Sequence, residues 1–391
     1  MSSVKECSPS WKWRVLVGTC LAGMMVALDF TIVNTSLNNI PVSLQSTMEQ
    51  LQWFIAGFGL TFCSFLATMG RLADMLGRRK VLYTGMIVFG IASIGAGMAQ
   101  TSWQLIFFRL IQGLGGSVVF PAGMAATVNA FPKEEEGRAL GVYGAIIGIG
   151  LAFGPLLGGF ITSLASWRWI FYVNIPVIII SFIICITVLR ESRLASAPKI
   201  DWWGMLLITL FVSSLIYAIT QAPDVGWLSI QTVGLFIISV ISFVLLLVVE
   251  SRIKVPLLPL NLFENRGFLL GCIFYVVAIS SAWVLTFFVP LYLHNVLSYD
   301  AAMTGLMMLP MTALTAVIPP LAGYIFDKRG VKFAGIYLVF IPIIFSYLIM
   351  MGFDLTTSLW LLIPGYLLFG FAWGSCNGIS MPTAISDLKN T

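Results

Sequence analysis

Asp29 is the only one of the 16 acidic residues that falls well inside a long apolar stretch. An ionisable group in hydrocarbon costs about 3 kcal/mol or more, so by default it faces a cavity and has a task. Burial favours its protonated form. A carboxyl that alternately takes H+ or a cationic ligand is enough to couple two fluxes. The plainer alternative is a carboxyl near a helix end that only hydrogen-bonds a neighbour such as Asn34. Arg109 is the only cation inside such a stretch, and Gln112 follows one turn later. The guanidinium needs an acceptor: Asp29, backbone carbonyls or a substrate. A purely structural arginine bonded to carbonyls fits the sequence equally well. Gly113 and Gly116 beside it make a small-residue face that permits close helix contact.

A second cluster lies in a turn. Residues 70 to 80 read Gly-Arg-Leu-Ala-Asp-Met-Leu-Gly-Arg-Arg-Lys, with long apolar stretches on both sides. Gly70 allows close approach of another helix. Asp74 can cap a helix N-terminus and meet its positive dipole end. Arg71, Arg78 and Arg79 can pair with acids on the same face, such as Glu134, Glu135 or Glu136. Ion pairs that form in one state and break in another suit a conformational latch. The skeleton returns with identical spacing at Gly323, Asp327 and Gly330, followed by Lys328, Arg329 and Lys332. Two copies of one hinge imply two related halves.

A third feature is one glycine-rich stretch, which carries Gly144, Gly148, Gly150, Gly154, Pro155, Gly158 and Gly159. Pro155 removes a backbone hydrogen bond and is expected to kink its helix. The glycines leave a smooth face on which that helix can rock against a partner. No nucleophile elbow, phosphate loop or metal cluster appears, so neither an enzyme nor a cofactor is expected. His294 stands alone near a helix end, with no second metal-type ligand near it in sequence. The cysteines, Cys7, Cys20, Cys63, Cys185, Cys272 and Cys376, show no paired spacing for disulfides or zinc.

The elements that must position these residues follow from composition. Charged residues are 9% of the 391, hydrophobic residues 59%, and mean hydropathy is +0.97. A soluble domain carries about a quarter charged residues. Twelve runs approach the ~20 apolar residues of a spanning helix: 13–33, 51–70, 81–99, 104–130, 138–161, 170–189, 202–221, 229–249, 268–293, 302–325, 333–353 and 358–381. They are too long for barrel strands and do not alternate strictly. The net charge of +5 lies in short loops between runs, which argues against nucleic acid and for membrane topology. With a cytoplasmic N-terminus, all but Arg109 and Arg168 of the 21 Lys and Arg lie on the inner side. The even count of spans returns the C-terminus to the same side. The first run is read as a retained helix rather than a cleaved leader. Trp167, Trp169, Tyr172, Trp202 and Trp203 sit at expected interfaces, as anchoring aromatics do.

The repeated hinge sets the domain plan. Lead-ins of similar length precede both copies, so runs 268–293 and 302–325 match the first two. Runs 202–221 and 229–249 are then an inserted pair. The expected organisation is an N-terminal six-helix half at 1–191, the inserted helix pair with its linkers at 192–254, and a C-terminal part at 255–391. The shift that superposes the hinges places Thr391 over Arg138. The sequence is therefore expected to be of a fourteen-helix type lacking its last two helices, six plus two inserted plus four of six.

Together these residues resemble the major facilitator superfamily, and within it the fourteen-helix drug:proton antiporters of the EmrB/QacA type. Leu28-Asp29-Phe30-Thr31-Ile32-Val33-Asn34 resembles that group's first-helix motif. Residues 70 to 80 are similar to the superfamily's signature turn. Arg109 to Gly115 resembles the fourth-helix motif linked to proton coupling. Gly150-Leu-Ala-Phe-Gly154-Pro155-Leu-Leu-Gly158-Gly159 is similar to the antiporter motif, and Trp167 to Phe171 with Asn174 and Pro176 is also typical. One departure is Asn34-Thr35-Ser36-Leu37-Asn38, where the family usually has Asn-Val-Ala-Leu-Pro, with the proline delayed here to Pro41.

The resemblance implies an all-α integral membrane protein of the major facilitator fold. It would sit in a bacterial cytoplasmic membrane and export amphipathic, often cationic compounds in exchange for H+. Asp29 would bind the proton or cation, and Arg109 with Gln112 would tune it. The substrate, H+ and membrane lipid are the implied partners. Some relatives add a periplasmic adaptor and an outer-membrane channel, which the sequence leaves open. A narrower cargo such as a siderophore or fatty acid, or a truncated membrane protein that does not transport, are the alternatives.

Overall fold

The structure, a computed structural model, describes residues 9–37, 39–133, 135–191, 201–253, 260, 264–351 and 359–386. The described segments are helical throughout, apart from turns and short connections. The chain opens with α1 (Pro9–Ile32), which tightens into a 3-10 turn at Asn34–Ser36, and the short α2 (Asn39–Leu44). Then come α3 (Met48–Leu76), α4 (Arg78–Met98), α5 (Ser102–Ala130), α6 (Glu136–Leu164), α7 (Trp169–Tyr172) and α8 (Asn174–Val188). α9 (Trp202–Val225) and α10 (Ile230–Glu250) follow, then α11 (Arg266–Asn295), α12 (Ala301–Val317), α13 (Pro319–Ala334), α14 (Ile341–Met351) and α15 (Leu359–Ser386). Where two such spans meet, a side chain often caps the next helix. Thr47 and Gln50 form a capping box on α3, and Thr101, Asp201, Ser229 and Asp300 cap α5, α9, α10 and α12.

Among the described residues ten helices are long and apolar enough to cross a membrane. The expected run at 302–325 is divided. Pro319 and Pro320 lack an N–H, so the helical ladder loses two donors there; Ile318 keeps helical angles, but α12 ends at Val317 and α13 starts at Pro319. The run at 358–381 falls in α15.

The chain folds as two compact units. One draws on the chain up to Val26, on Pro41–Tyr143 and on Phe171–Leu260; the other takes Ala27–Ile40, Gly144–Ile170 and the chain from Asn261 onward. In the first unit α3 packs on α5, where Thr61 Oγ1 donates to Leu110 O at 2.7 Å. The pair α9 and α10, expected as an insertion, belongs to this unit. Thr209 Oγ1 donates to Ser64 O at 3.1 Å, and Trp53 lies against Tyr217 at 5.6 Å between ring centroids. The early part of α1 is tied in by Thr19 against Thr127 at 2.7 Å and by Ser181 Oγ donating to Gly18 O at 2.8 Å.

The second unit has a core of Leu285, Met308, Met311, Tyr366, Phe369 and Trp373 from α11, α12 and α15. Into it come the end of α1, where Phe30 meets Trp283 at 5.1 Å, and the later two-thirds of α6.

Candidate functional site

In the first unit, Arg109 is 1% exposed on α5. Its Nε donates to the Phe54 carbonyl of α3 at 2.8 Å, and Nη1 donates to Gln112 Oε1 at 3.0 Å. The guanidinium carbon stands 4.4 Å from the centroid of the Phe58 ring, a cation–π contact strengthened by burial. A carbonyl has two lone pairs, so Phe54 O can serve its own helix and Arg109 at once. Gln112 Nε2 donates onward to Ser93 Oγ of α4 at 2.8 Å, and Asn174 Nδ2 of α8 reaches the same oxygen at 3.3 Å. One buried chain of polar groups thus joins α3, α4, α5 and α8. Of the acceptors named from the sequence, a backbone carbonyl is present here; Gln112, which was not among them, is a second. Sequence reasoning missed Ser93, since a serine in an apolar helix carries no pattern.

The turn at 70–80 joins α3 to α4. Asp74 and Arg78 form an ion pair with Nη2 to Oδ1 at 2.7 Å, and Arg78 Nη1 also donates to Ala125 O at 3.2 Å. Asp74 therefore directs its carboxylate to the first side chain of α4, not to its backbone amides; Gly77 occupies the N-cap position. Arg79 donates to Tyr83 Oη at 3.1 Å, and Glu135 pairs with Lys12 at 2.5 Å. The expected pairing of the turn's arginines with Glu135 is not what forms: residues four apart on adjacent turns reach each other first. Glu134 lies outside the described residues. Arg71 is half-buried near the end of α3, and Gly70 faces Pro121 of α5. Gly77 needs its glycine for its φ of +110°, with the movable Glu191 carboxylate lying nearby.

The second copy lies in α13. Gly330 takes φ of +77°, a break between two helices like that at Gly77. Gly323 is half-buried one turn before Asp327, whose side chain lies outside the described residues. Lys328 and Arg329 lie over the Tyr324 and Phe333 rings.

In the second unit, Asp29 is 0% exposed near the end of α1. Gly150, Gly154, Pro155, Gly158 and Gly159 are all buried on α6, which continues through Pro155. Gly154 receives Thr31, and Gly158 receives Ile32 O and Thr35 Oγ1. Ser36 and Thr162 hydroxyls bond at 2.6 Å. Asn34 is 1% exposed, and neither of its amide atoms has a hydrogen-bond partner. A primary amide in that position is costly, which marks Asn34 as a group with a task. His294 Nδ1 lies 2.8 Å from Tyr299 O. Among the described residues no cluster of His, Cys, Asp or Glu could hold a metal ion.

Residues 19–390 match the Major Facilitator Superfamily. The chain is 32% identical to Multidrug resistance protein 3 of Bacillus subtilis over 81% of this chain and 62% of that protein. It is 29% identical to the Riboflavin transporter RibZ of Clostridioides difficile over 96% of this chain and 81% of that one. It is also 29% identical to the probable multidrug resistance protein EmrY of Escherichia coli, over 82% and 63%. The chain spans about three-fifths of the length of the first curated relatives it matches. A solved bacterial homologue of the human lysosomal transporter Spinster, inward-facing and unoccupied, superposes with a TM-score of 0.65. It shares 16% identity, over 97% of this chain and 76% of that structure, and so speaks for the fold.

Proposed function

The chain belongs to the Major Facilitator Superfamily, a family of transporters, and from that premise we propose that it is a proton-coupled antiporter exporting amphipathic small molecules. It works in a bacterial cytoplasmic membrane, with both termini on the cytoplasmic side, by alternating access. The observation that carries this reading is Asp29, a carboxyl with no exposure inside an apolar span. An ionisable group there costs about 3 kcal/mol or more, which favours a role in which Asp29 takes a proton and a cationic ligand in turn. Exchange of one for the other couples the two fluxes. Relatives named for multidrug resistance support a drug-like cargo.

The remaining groups take mechanical roles. Arg109 and Gln112 hold α3, α4, α5 and α8 in register and so fix the wall of the first unit. Gly70, Arg71, Asp74, Gly77 and Arg78 form one latch, and Gly323, Asp327 and Gly330 the other. Within the run of Gly150, Gly154, Pro155, Gly158 and Gly159, Gly154 and Gly158 give α6 the surface on which the end of α1 bears. The bodies that alternate are the two compact units, the first including α9 and α10 and the second including the end of α1 and the later part of α6.

The test is proton release from the purified chain in weakly buffered detergent near pH 7. A lipophilic phosphonium cation is added at rising concentration. Release that saturates with binding, and is absent in Asp29→Asn, is expected. Binding with no proton release overturns the coupling. A narrower cargo is favoured by one observation: a relative matched over 96% of this chain is named a riboflavin transporter. Riboflavin competing with the phosphonium for binding separates the two cargo readings.

A further inference from the structure

Pro155 has no N–H, so the carbonyl four residues earlier, Leu151 O, has no helical donor at that position. In hydrocarbon no water replaces it, and membrane helices tolerate an internal proline only where neighbouring groups satisfy what it frees. Thr31 does so here. Its Oγ1 lies 3.1 Å from Leu151 O and 3.3 Å from Leu28 O of its own helix. A hydroxyl has one proton, so the two carbonyls share it. Thr31 is 1% exposed, so the donor has no bulk water to turn to.

The surroundings hold that bond in place. Thr31 nests against Gly154, where a β-carbon would stand 2.9 Å from Thr31 Cβ and 3.1 Å from Ile32 N. One turn further along both helices, Gly158 meets Ile32 and Thr35. One turn beyond that on α6, Thr162 bonds Ser36. The segments 31–36 and 151–162 therefore lie side by side. Asp29 is two residues before the first of these contacts.

We infer that Thr31 is a positioning residue: its hydroxyl closes the break that Pro155 makes in α6 and ties α6 to α1 beside Asp29. The two segments then change arrangement together. The structural half of this inference stands on geometry alone, and its consequence for transport rests on the antiport reading above. A proline break free of Thr31 bends on its own, without reference to the state of Asp29. A break closed by Thr31 bends only when the end of α1 moves.

The test is a variant cycle of Thr31→Val, Thr31→Ser, Pro155→Ala and Thr31→Val with Pro155→Ala. Alanine at 155 returns an N–H to Leu151 O and makes the hydroxyl redundant. Two readouts are taken on the whole chain: deuterium exchange of peptides around residues 148–160, and proton-driven substrate transport with its maximal rate and KM. Thr31→Val is expected to speed exchange and lower the maximal rate roughly tenfold, the worth of one buried hydrogen bond. KM should move less than twofold. Thr31→Ser keeps wild-type behaviour. In the Pro155→Ala background, Thr31→Val changes either readout by less than twofold. Equal losses in both backgrounds, or no loss in either, overturn the inference. If Thr31→Val alone does not fold, recovery of folding in the double variant supports the link and failure of both overturns it. If wild type moves no substrate, the antiport reading fails while the exchange data still decide the link.

Discussion

Arg109 and Asn34 set the same problem in two regions, and the regions answer it differently. Each side chain is polar, 1% exposed and set in apolar surroundings. Around Arg109 the polar groups bond one another in a chain: a carbonyl, the guanidinium, Gln112, Ser93 and Asn174, with the Phe58 ring on one side. Around Asn34 they do not. Its neighbours on the chain make single bonds to another helix, Thr31 to Leu151 O and Ser36 to Thr162, and its own amide makes none. A chain of buried bonds that joins four helices holds them at one mutual spacing. A row of single bonds between two helices can be exchanged for another row. The first region has the build of a frame and the second that of a moving contact.

Substitutions can break that contrast. The largest effect is expected from Arg109→Ala, which strands the groups that the guanidinium satisfies and leaves a hole; a stability loss of about 3 kcal/mol or more follows. Thermal unfolding in detergent measures it. Arg109→Lys should also lose stability, because one ammonium cannot serve a carbonyl and Gln112 with the same planar geometry. An Arg109→Ala chain as stable as wild type means that the network is not a frame.

Gly154→Ala comes next, since its β-carbon collides with Thr31. A loss of about 1–3 kcal/mol is expected from overpacking, with transport abolished at substrate concentrations that saturate wild type. Unchanged transport shows that α1 and α6 need not stay close. Ser93→Ala removes the oxygen that Gln112 and Asn174 share. It should cost about 1–2 kcal/mol and lower Tm while leaving substrate affinity alone. The smallest effect on stability, within about 1 kcal/mol of wild type, belongs to Asn34→Leu, which removes an amide that bonds nothing and strands no partner. Its transport should nonetheless fall, and a variant that transports normally denies Asn34 a task.

Much of this organisation was legible before any coordinates, and the physical reason is contrast. Asp29 and Arg109 are charges in apolar runs, so they stand out in the sequence. The hinge was legible because it occurs twice, and Gly77 and Gly330 share the left-handed backbone that only glycine adopts freely. What the sequence did not carry is adjacency between helices. Ser93, Phe54 O and the Thr31–Leu151 bond involve small or backbone groups that have no period and no charge. The pairing of Asp74 with Arg78 is readable from its i,i+4 spacing, yet the acids of the next loop offer the same charge, and it is Lys12 that takes Glu135. The division of the run at 302–325 was readable too, from Pro319 and Pro320, but hydropathy alone runs straight across it.

The central claim is that Asp29 couples cargo to the proton gradient. It is tested most directly in inverted membrane vesicles containing this chain or its Asp29→Asn variant at matched, folded levels. A fluorescent lipophilic cation is added and the proton gradient is then imposed. An antiporter concentrates the dye in the vesicles, loses it when an uncoupler is added, and shows no accumulation in Asp29→Asn. Accumulation that survives the uncoupler, or that proceeds equally with Asn at position 29, contradicts the claim.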